Sequence, residues 1–178
     1  MKKLLAILVT VGIIGGTFVG CGDKKEQSKE TQKQEQEQVQ TEDKLTEIKL
    51  KEPFEVKTES GDYTVTINSI KTTNERNEFE DKQPKQVIVV DYDYNNKSFK
   101  PSNGMKLLVD QTAFVVMDGE GNVLRTYPVA MDENPKPIPV GGKLHATIAY
   151  GVPTDSKEIK LQYERSNGPI GEMVVEIK

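Results

Sequence analysis

The chain contains one cysteine, one histidine and no tryptophan among its 178 residues. A single cysteine excludes an intrachain disulfide, so the fold must depend on packing alone. A single histidine, without a second histidine or a free thiol, does not provide the ligand set of a typical zinc site. Hydrophobic residues make up only 35% of the sequence. This low average conceals an apolar start, a polar second segment and a mixed remainder.

The sequence also lacks the short motifs that indicate common enzymatic chemistry. It contains no Gly-x-Ser-x-Gly, no phosphate-binding loop and no dinucleotide fingerprint. The formal net charge is −4, and a mildly acidic domain is poorly suited to bind nucleic-acid phosphates or anionic lipid headgroups. The sequence therefore predicts a protein that is not an enzyme, with no catalytic residues, no metal or cofactor site and no nucleic-acid partner.

The first twenty residues have the pattern of an export signal. Lys2 and Lys3 form a short positive start, and Leu4–Gly20 is an apolar run of 17 residues. This run is short for a membrane-spanning helix, which needs about 20 apolar residues. A positive start, an apolar stretch and a small residue at the end are typical of a secretory signal peptide. We therefore predict a signal peptide over residues 1–20.

The signal ends in Phe18-Val19-Gly20-Cys21, which resembles the lipobox of bacterial lipoprotein precursors. Phe18 stands where that family usually has leucine. The resemblance implies cleavage between Gly20 and Cys21 and a diacylglyceryl group on the Cys21 thiol. Two acyl chains suffice for stable anchoring, at about 0.8 kcal/mol per buried methylene. The expected location is the outer face of the bacterial cytoplasmic membrane, and the alternatives are an uncleaved transmembrane anchor and a free structural cysteine.

Residues 21–47 have the composition of a tether. The segment from Gly22 to Glu47 holds six Gln, five Lys and eight Asp or Glu, and its apolar side chains are only Val39 and Leu45. It cannot bury enough apolar area to offset the entropy of ordering. We expect a flexible linker with an average span of about 28 Å. A marginal helix is the alternative, because Glu, Gln and Lys favour helices.

From Ile48 onward, apolar residues recur at every second position, which is the period of a β-strand. Turn residues, mainly Gly, Asn, Ser and Asp, separate the short alternating segments. The segments are 63–67, 87–94, 114–117, 144–150, 159–163 and 173–177. Many short strands without a long amphipathic helix between them predict an all-β, immunoglobulin-like antiparallel β-sandwich over residues 48–178. We expect residues 166–178 to add a final edge strand.

Three segments of this region carry a family resemblance: GDYTVTINSIKTT, QVIVVDYDYNNKS and VGGKLHATIAYGVPTDSKEIKLQY. Together they resemble the telokin-like, immunoglobulin-fold domains of Gram-positive bacterial lipoproteins, over about residues 55–165. The family is largely of unknown function, so the resemblance implies fold and setting but transfers no catalytic residue. We expect Asn95 and Asn96 to take positive φ in a tight loop. Tyr163 should pack inward with its hydroxyl near the rim.

Three polar residues could in principle carry chemistry. His145 lies on an alternating strand pattern, which predicts a solvated strand residue. Asp91 and Asp93 share one face of a strand, and such a pair can perform acid–base work in hydrolases. Alternating charges on a strand are more often a solvated face, so the hydrolase hypothesis is not favoured.

A short acidic loop resembles the opening of a calcium site. Oxygen-bearing side chains occupy alternate positions at Asp118, Glu120 and Asn122. A calcium loop would then need glycine at position 123 and glutamate at position 129, and both positions hold valine. The better prediction is a hairpin turn.

The segment Met131–Gly142 contains three alternating prolines, which favour an extended backbone. It is a stiff crossover between strands, an exposed ligand for an aromatic groove of a partner, or part of a binding rim formed by loops. For the whole chain, we favour a membrane-anchored extracellular binding or interaction module with a protein or cell-wall glycan partner. The alternative is a structural or accessory envelope lipoprotein without a specific small ligand.

Overall fold

In a computed structural model, which describes residues 45–131 and 133–177, the chain forms nine β-strands and one 3₁₀ helix. The strands are β1 (Thr46–Glu47), β2 (Phe54–Thr58), β3 (Gly61–Thr73), β4 (Gln86–Asn96), β5 (Phe114–Asp118), β6 (Arg125–Thr126), β7 (Lys143–Val152), β8 (Glu158–Arg165) and β9 (Gly168–Glu176), and the 3₁₀ helix is Gln111–Ala113. In this described part, no helix is long and apolar enough to cross a membrane. The predicted signal peptide, Cys21 and most of the predicted tether lie outside the described residues.

The strands form two sheets, and the predicted all-β sandwich is confirmed. One sheet has four strands in the order β1-β9-β8-β5, and the other has five in the order β2-β3-β4-β7-β6. Neighbouring strands are antiparallel except for β1 and β9, which are parallel. The sequence did not predict this parallel pair.

The start and end of the domain differ from the predicted arrangement. Thr46 and Glu47, which the sequence assigned to the tether, pair with Gly171 and Glu172. The sheet therefore begins before residue 48. β9 is also not at the edge of its sheet, because β8 pairs with one side of it and β1 with part of the other.

The core lies between the sheets and is rich in tyrosine. Successive strand residues point to opposite faces, so alternation places every second side chain inside. The largest buried side chains include Tyr63, Tyr92, Tyr94 and Tyr163. Phe114 packs edge-on against Tyr92 and Tyr163, with ring centroids 5.1 and 5.5 Å away. Each such aromatic pair stabilises the core by about 0.5–1.5 kcal/mol beyond the burial of area.

The Tyr163 hydroxyl does not lie near the rim, contrary to the sequence-based expectation. It is buried and lies 3.0 Å from the hydroxyl of Tyr63, on the opposite sheet. Burial raises the pKa of both hydroxyls, so both remain protonated near neutral pH. A buried hydroxyl needs a hydrogen-bond partner, and each of these two hydroxyls is the partner of the other.

The asparagines at the end of β4 also differ from expectation. Among the described residues, Lys51 is the one non-glycine with positive φ, so Asn95 and Asn96 remain extended. The Asn96 side chain is buried and donates from Nδ2 to the Phe99 carbonyl at 3.1 Å and the Ile138 carbonyl at 3.4 Å. This amide thus joins the loop after β4 to the loop before β7, and both loops contribute to the site described next.

Candidate functional site

One end of the sandwich carries an apolar cleft, which we call the end cleft. It lies between the loop after β4, the loop before β7 and the end of β8, and its volume is about 430 Å³. Its lining includes Phe99, Met105, Lys106, Leu108, Pro137 and Arg165. The lining thus combines apolar side chains with two cations and no acidic residue. Of these residues, Pro137 belongs to a segment that the sequence indicated as a possible binding rim, and the others were not predicted as site residues.

The floor of the end cleft is built by two backbone hydrogen bonds. The Leu107 amide donates to the Ile138 carbonyl at 3.1 Å, and the Ile138 amide donates to the Leu107 carbonyl at 2.8 Å. Leu107 and Ile138 are both buried, but their neighbours Met105 and Leu108 remain 65% and 41% exposed. The fold therefore anchors this loop through buried residues and leaves two large apolar side chains in solvent.

Aromatic and cationic groups form the other wall of the cleft. Phe99 packs edge-on against Tyr63 at 5.7 Å between ring centroids. The Arg165 guanidinium carbon lies 5.5 Å from the Tyr63 ring centroid and 5.9 Å from that of Phe99, which is the range of cation–π attraction. Within the described residues, neither Arg165 nor Lys106 forms an ion pair with a carboxylate. The cleft can therefore accept an apolar group that carries negative charge nearby.

The proline-containing segment Met131–Gly142 contributes to this end of the molecule. The Tyr94 hydroxyl donates to the Lys136 carbonyl and accepts from the Lys136 amide at 3.0 Å. Together with the buried Ile138, these contacts fix the segment to the sandwich. The structure favours the predicted stiff crossover over a free peptide ligand, and the crossover supplies Pro137 to the end cleft.

The five-stranded sheet carries a polar cluster on its solvent-facing side. His145 Nδ1 lies 3.0 Å from Asp93 Oδ1 and 3.8 Å from Asp91 Oδ1. The Asn68 amide nitrogen donates to Asp91 Oδ1 at 3.0 Å and to Asp93 Oδ2 at 2.8 Å. His145 is exposed on a strand, as predicted, but its contact with the two aspartates was not predicted from the sequence. The strand register, in which Asp93 pairs with His145, is the signal that would have joined them.

This polar cluster is a hydrogen-bonded surface network. The groups that face His145 Nδ1 are carboxylates, and Asn68 links the two carboxylates to each other. In the part of the chain that the structure describes, no group of three or more His, Cys, Asp or Glu side chains is arranged to hold a metal ion. An exposed contact such as that between His145 and Asp93 contributes about 0–1 kcal/mol to the stability of the fold.

The acidic loop at Asp118 is a turn, as predicted. Asp118 is 3% exposed, and its carboxylate accepts hydrogen bonds from the amides of Glu120 and Asn122, from the Asn122 side chain and from the Thr154 hydroxyl. Burial alone would raise the pKa of this carboxyl, but the hydrogen bonds outweigh it, so the pKa lies below its usual value. Both carboxylate oxygens are thus occupied in holding the turn.

The loop between β3 and β4 presents an exposed aromatic ring. Phe79 is 92% exposed, although the loop around it is closed by hydrogen bonds. The Tyr127 hydroxyl accepts from the Asn77 amide at 2.9 Å and donates to Gln83 Oε1 at 2.6 Å. The Gln83 amide nitrogen donates to the carbonyls of Asn77 and Glu80 at 2.7 and 3.0 Å. The sequence signal for this loop is one aromatic residue in a strongly polar stretch, and Phe79 was not predicted as a site residue.

Comparison with known proteins shows the fold of the chain. No protein family model and no curated protein matches the sequence. The chain is similar to MPT63, a secreted protein from Mycobacterium tuberculosis, with a TM-score of 0.57 and 12% identity over 73% of this chain and 97% of that one. Two proteins of Bacillus subtilis are more distant in fold: yjhA has a TM-score of 0.49, with 14% identity over 74% of this chain and 99% of its own. The other, ycdA, has a TM-score of 0.47, with 14% identity over 70% of this chain and 38% of its own. The telokin-like family stays a prediction, and the likeness to MPT63 shows a common β-sandwich fold.

Proposed function

We propose that this protein is an extracellular lipoprotein, held to the membrane through Cys21, whose β-sandwich serves as a binding module. The observation that carries this proposal is the end cleft, where Met105 and Leu108 are exposed at a concave surface. Apolar side chains that gather in such a depression are typical of interaction sites, whereas isolated exposed ones are ordinary.

The chemistry of the end cleft favours a protein partner over a cell-wall glycan. Leu108 and Met105 offer almost no hydrogen bonding to sugar hydroxyls. Methionine is flexible and polarizable, and is common at surfaces that bind apolar side chains. Lys106 and Arg165 add positive charge without an acidic partner among the described residues. We therefore expect a partner that presents an apolar side chain beside carboxylates.

The proposed location rests on the first part of the sequence. The apolar run would direct export, and the lipobox-like Phe18–Cys21 would allow attachment of the lipid anchor. The polar segment after it would act as a spacer between the membrane and the sandwich. The likeness in fold to a secreted mycobacterial protein is compatible with this location. The tether would hold the sandwich away from the membrane, where the end cleft is open to partners.

We expect Met105→Asp to reduce partner binding by about tenfold or more, because a buried apolar side chain contributes about 1.5–3 kcal/mol. The measurement is proximity labelling on intact cells from the full-length anchored protein, followed by identification of the labelled proteins. Val174→Asp is the matched control, because Val174 is 56% exposed and lies outside the cleft lining. It should label the same partner as the wild type.

Two results would contradict the proposal. Equal labelling by Met105→Asp and the wild type would show that the end cleft is not the binding site. If the wild type enriched no other protein and also formed no complex with itself, the structural or accessory envelope role would replace the binding module.

A further inference from the structure

We propose that the end cleft binds the loop between β3 and β4 of a second copy of this chain, so that the protein associates head to tail. This loop, residues 74–85, is called the Phe79 loop. This inference rests on the proposed function, because it names the partner of the same cleft. The chain carries both an apolar cleft with cations at its rim and an exposed aromatic ring with acidic neighbours. A protruding ring can enter a cleft, and acidic side chains attract cations, so the two surfaces are complementary.

The Phe79 loop is organised before it meets a partner. Asn77 Oδ1 accepts from the Phe79 amide at 3.1 Å, and Tyr127 and Gln83 close the loop below it. A loop that is already ordered loses little entropy on binding. An aromatic side chain that protrudes from such a loop is the typical anchor residue of an interface. Phe79 belongs to neither hydrophobic cluster of the described core, so core packing does not explain its exposed position.

Charge favours this pairing over other occupants. Phe79 is flanked by Glu78, Glu80 and Asp81, all exposed and without an ion pair among the described residues, and over residues 78–82 these three carboxylates outnumber the single cation, Lys82. Lys106 and Arg165 line the end cleft. Complementary charge accelerates encounter and fixes orientation. The same three carboxylates would repel an anionic membrane surface, so insertion of Phe79 into lipid is disfavoured.

The positions of the two surfaces determine the kind of assembly. The Phe79 loop precedes β4, and the loop that carries Phe99 and Met105 follows it. β4 has eleven residues, so the two surfaces are separated by about 33 Å at roughly 3.3 Å per residue. One copy therefore does not fill its own cleft. When the cleft of one copy binds the loop of another, the resulting dimer still has one free cleft and one free loop. Further copies can therefore add at both ends, which gives open chains.

The test uses the full-length chain, extracted from membranes in a mild detergent, in sedimentation velocity over micromolar to millimolar concentrations. We expect the average mass of the wild type to rise with concentration beyond that of a dimer. Phe79→Asp and Met105→Asp, each alone, should remain monomeric. An equimolar mixture of the two variants should form a dimer, because one retains the cleft and the other retains the loop. Val174→Asp should assemble as the wild type does, because Val174 is exposed on β9 and lines neither the end cleft nor the surface beside the Phe79 loop.

Several results would overturn the inference: a wild type that stays monomeric at every concentration, single variants that still assemble, or a mixture that stays monomeric. Both substitutions affect exposed side chains, and unchanged thermal unfolding of each variant confirms that it is folded. If the mixture is monomeric while Met105→Asp still loses partner labelling on cells, self-association is wrong and the binding-module proposal stands.

Discussion

We expect Gly61→Ala to lower the free energy of unfolding by about 3 kcal/mol or more. Gly61 has a φ of 114°, a conformation that L side chains rarely adopt. A Cβ there would lie 2.3 Å from the Ser98 carbonyl oxygen, 2.6 Å from its carbon and 2.9 Å from the Phe99 nitrogen. All three are backbone atoms, so no side chain can rotate away to relieve the clash.

The segment that meets this Cβ is also fixed by hydrogen bonds. The amides of Lys97 and Ser98 donate to the Asp62 carbonyl at 3.1 and 2.9 Å, and the Ser98 hydroxyl accepts from the Asp62 amide at 2.9 Å. A shift that relieves the clash must weaken these bonds or displace Phe99. Because Phe99 lines the end cleft, we expect the same substitution to weaken partner binding.

Gly168→Ala is the matched control for the backbone clash. Gly168 has a similar φ of 106°, but nothing lies within 4 Å of a Cβ there. Gly168→Ala should lower the free energy of unfolding only through the unfavourable backbone conformation, by about 1–2 kcal/mol. Urea unfolding of the two variants beside the wild type measures the difference. Equal losses at positions 61 and 168 would mean that the contact with Ser98 and Phe99 contributes nothing.

We expect Asp118→Ala to destabilise the protein by about 1–3 kcal/mol. The carboxylate is buried and accepts hydrogen bonds from Glu120, Asn122 and Thr154. Its removal takes the common acceptor from those donors, but water reaches the exposed Glu120 and Asn122, so we expect a total cost of about 1–3 kcal/mol. Asp110→Ala is the control, because the Asp110 carboxylate also accepts from an amide two residues later but on the surface. It should cost about 1 kcal/mol.

The contribution of Asp118 should depend on pH in a defined direction. Burial opposes ionisation, but the hydrogen bonds outweigh it and place the folded-state pKa below the usual 3.8. The unfolded chain therefore takes up a proton first as the pH falls, so the stabilisation is complete above about pH 3.8 and is lost through the folded pKa. The difference in unfolding free energy between the wild type and Asp118→Asn should stay constant above this range and shrink below it. A difference that grows on acidification would contradict this assignment.

The alternating pattern predicted the main strands and most of the core, because the period of two directly reflects which side chains face inward. Tyr63, Val65 and Ile67 are buried as the pattern indicates. The short strand β1 had no such signal, since Thr46 and Glu47 are exposed and are ordered only by their pairing with β9. Pairing between distant segments depends on register, which a single sequence does not specify.

The candidate site was not predictable for the same reason. Phe99, Met105, Pro137 and Arg165 come from three separate loops and strand ends, and only the tertiary fold brings them together. Asn96 shows the limit at one residue: its type suggested a positive φ, but its side chain instead joins two loops from inside the domain. Asp118 was more tractable, because the missing glycine and glutamate ligands already favoured a turn over a calcium site.

The proposed display of this sandwich outside the cell by lipid on Cys21 is tested most directly by the intact mass of the wild-type chain extracted from membranes. We predict a chain that begins at Cys21 and carries the added mass of acyl chains, and we predict that Cys21→Ser lacks this added mass. An unmodified wild-type chain that still begins at Met1 would contradict the lipid anchor, and with it the proposed presentation of the end cleft at the cell surface.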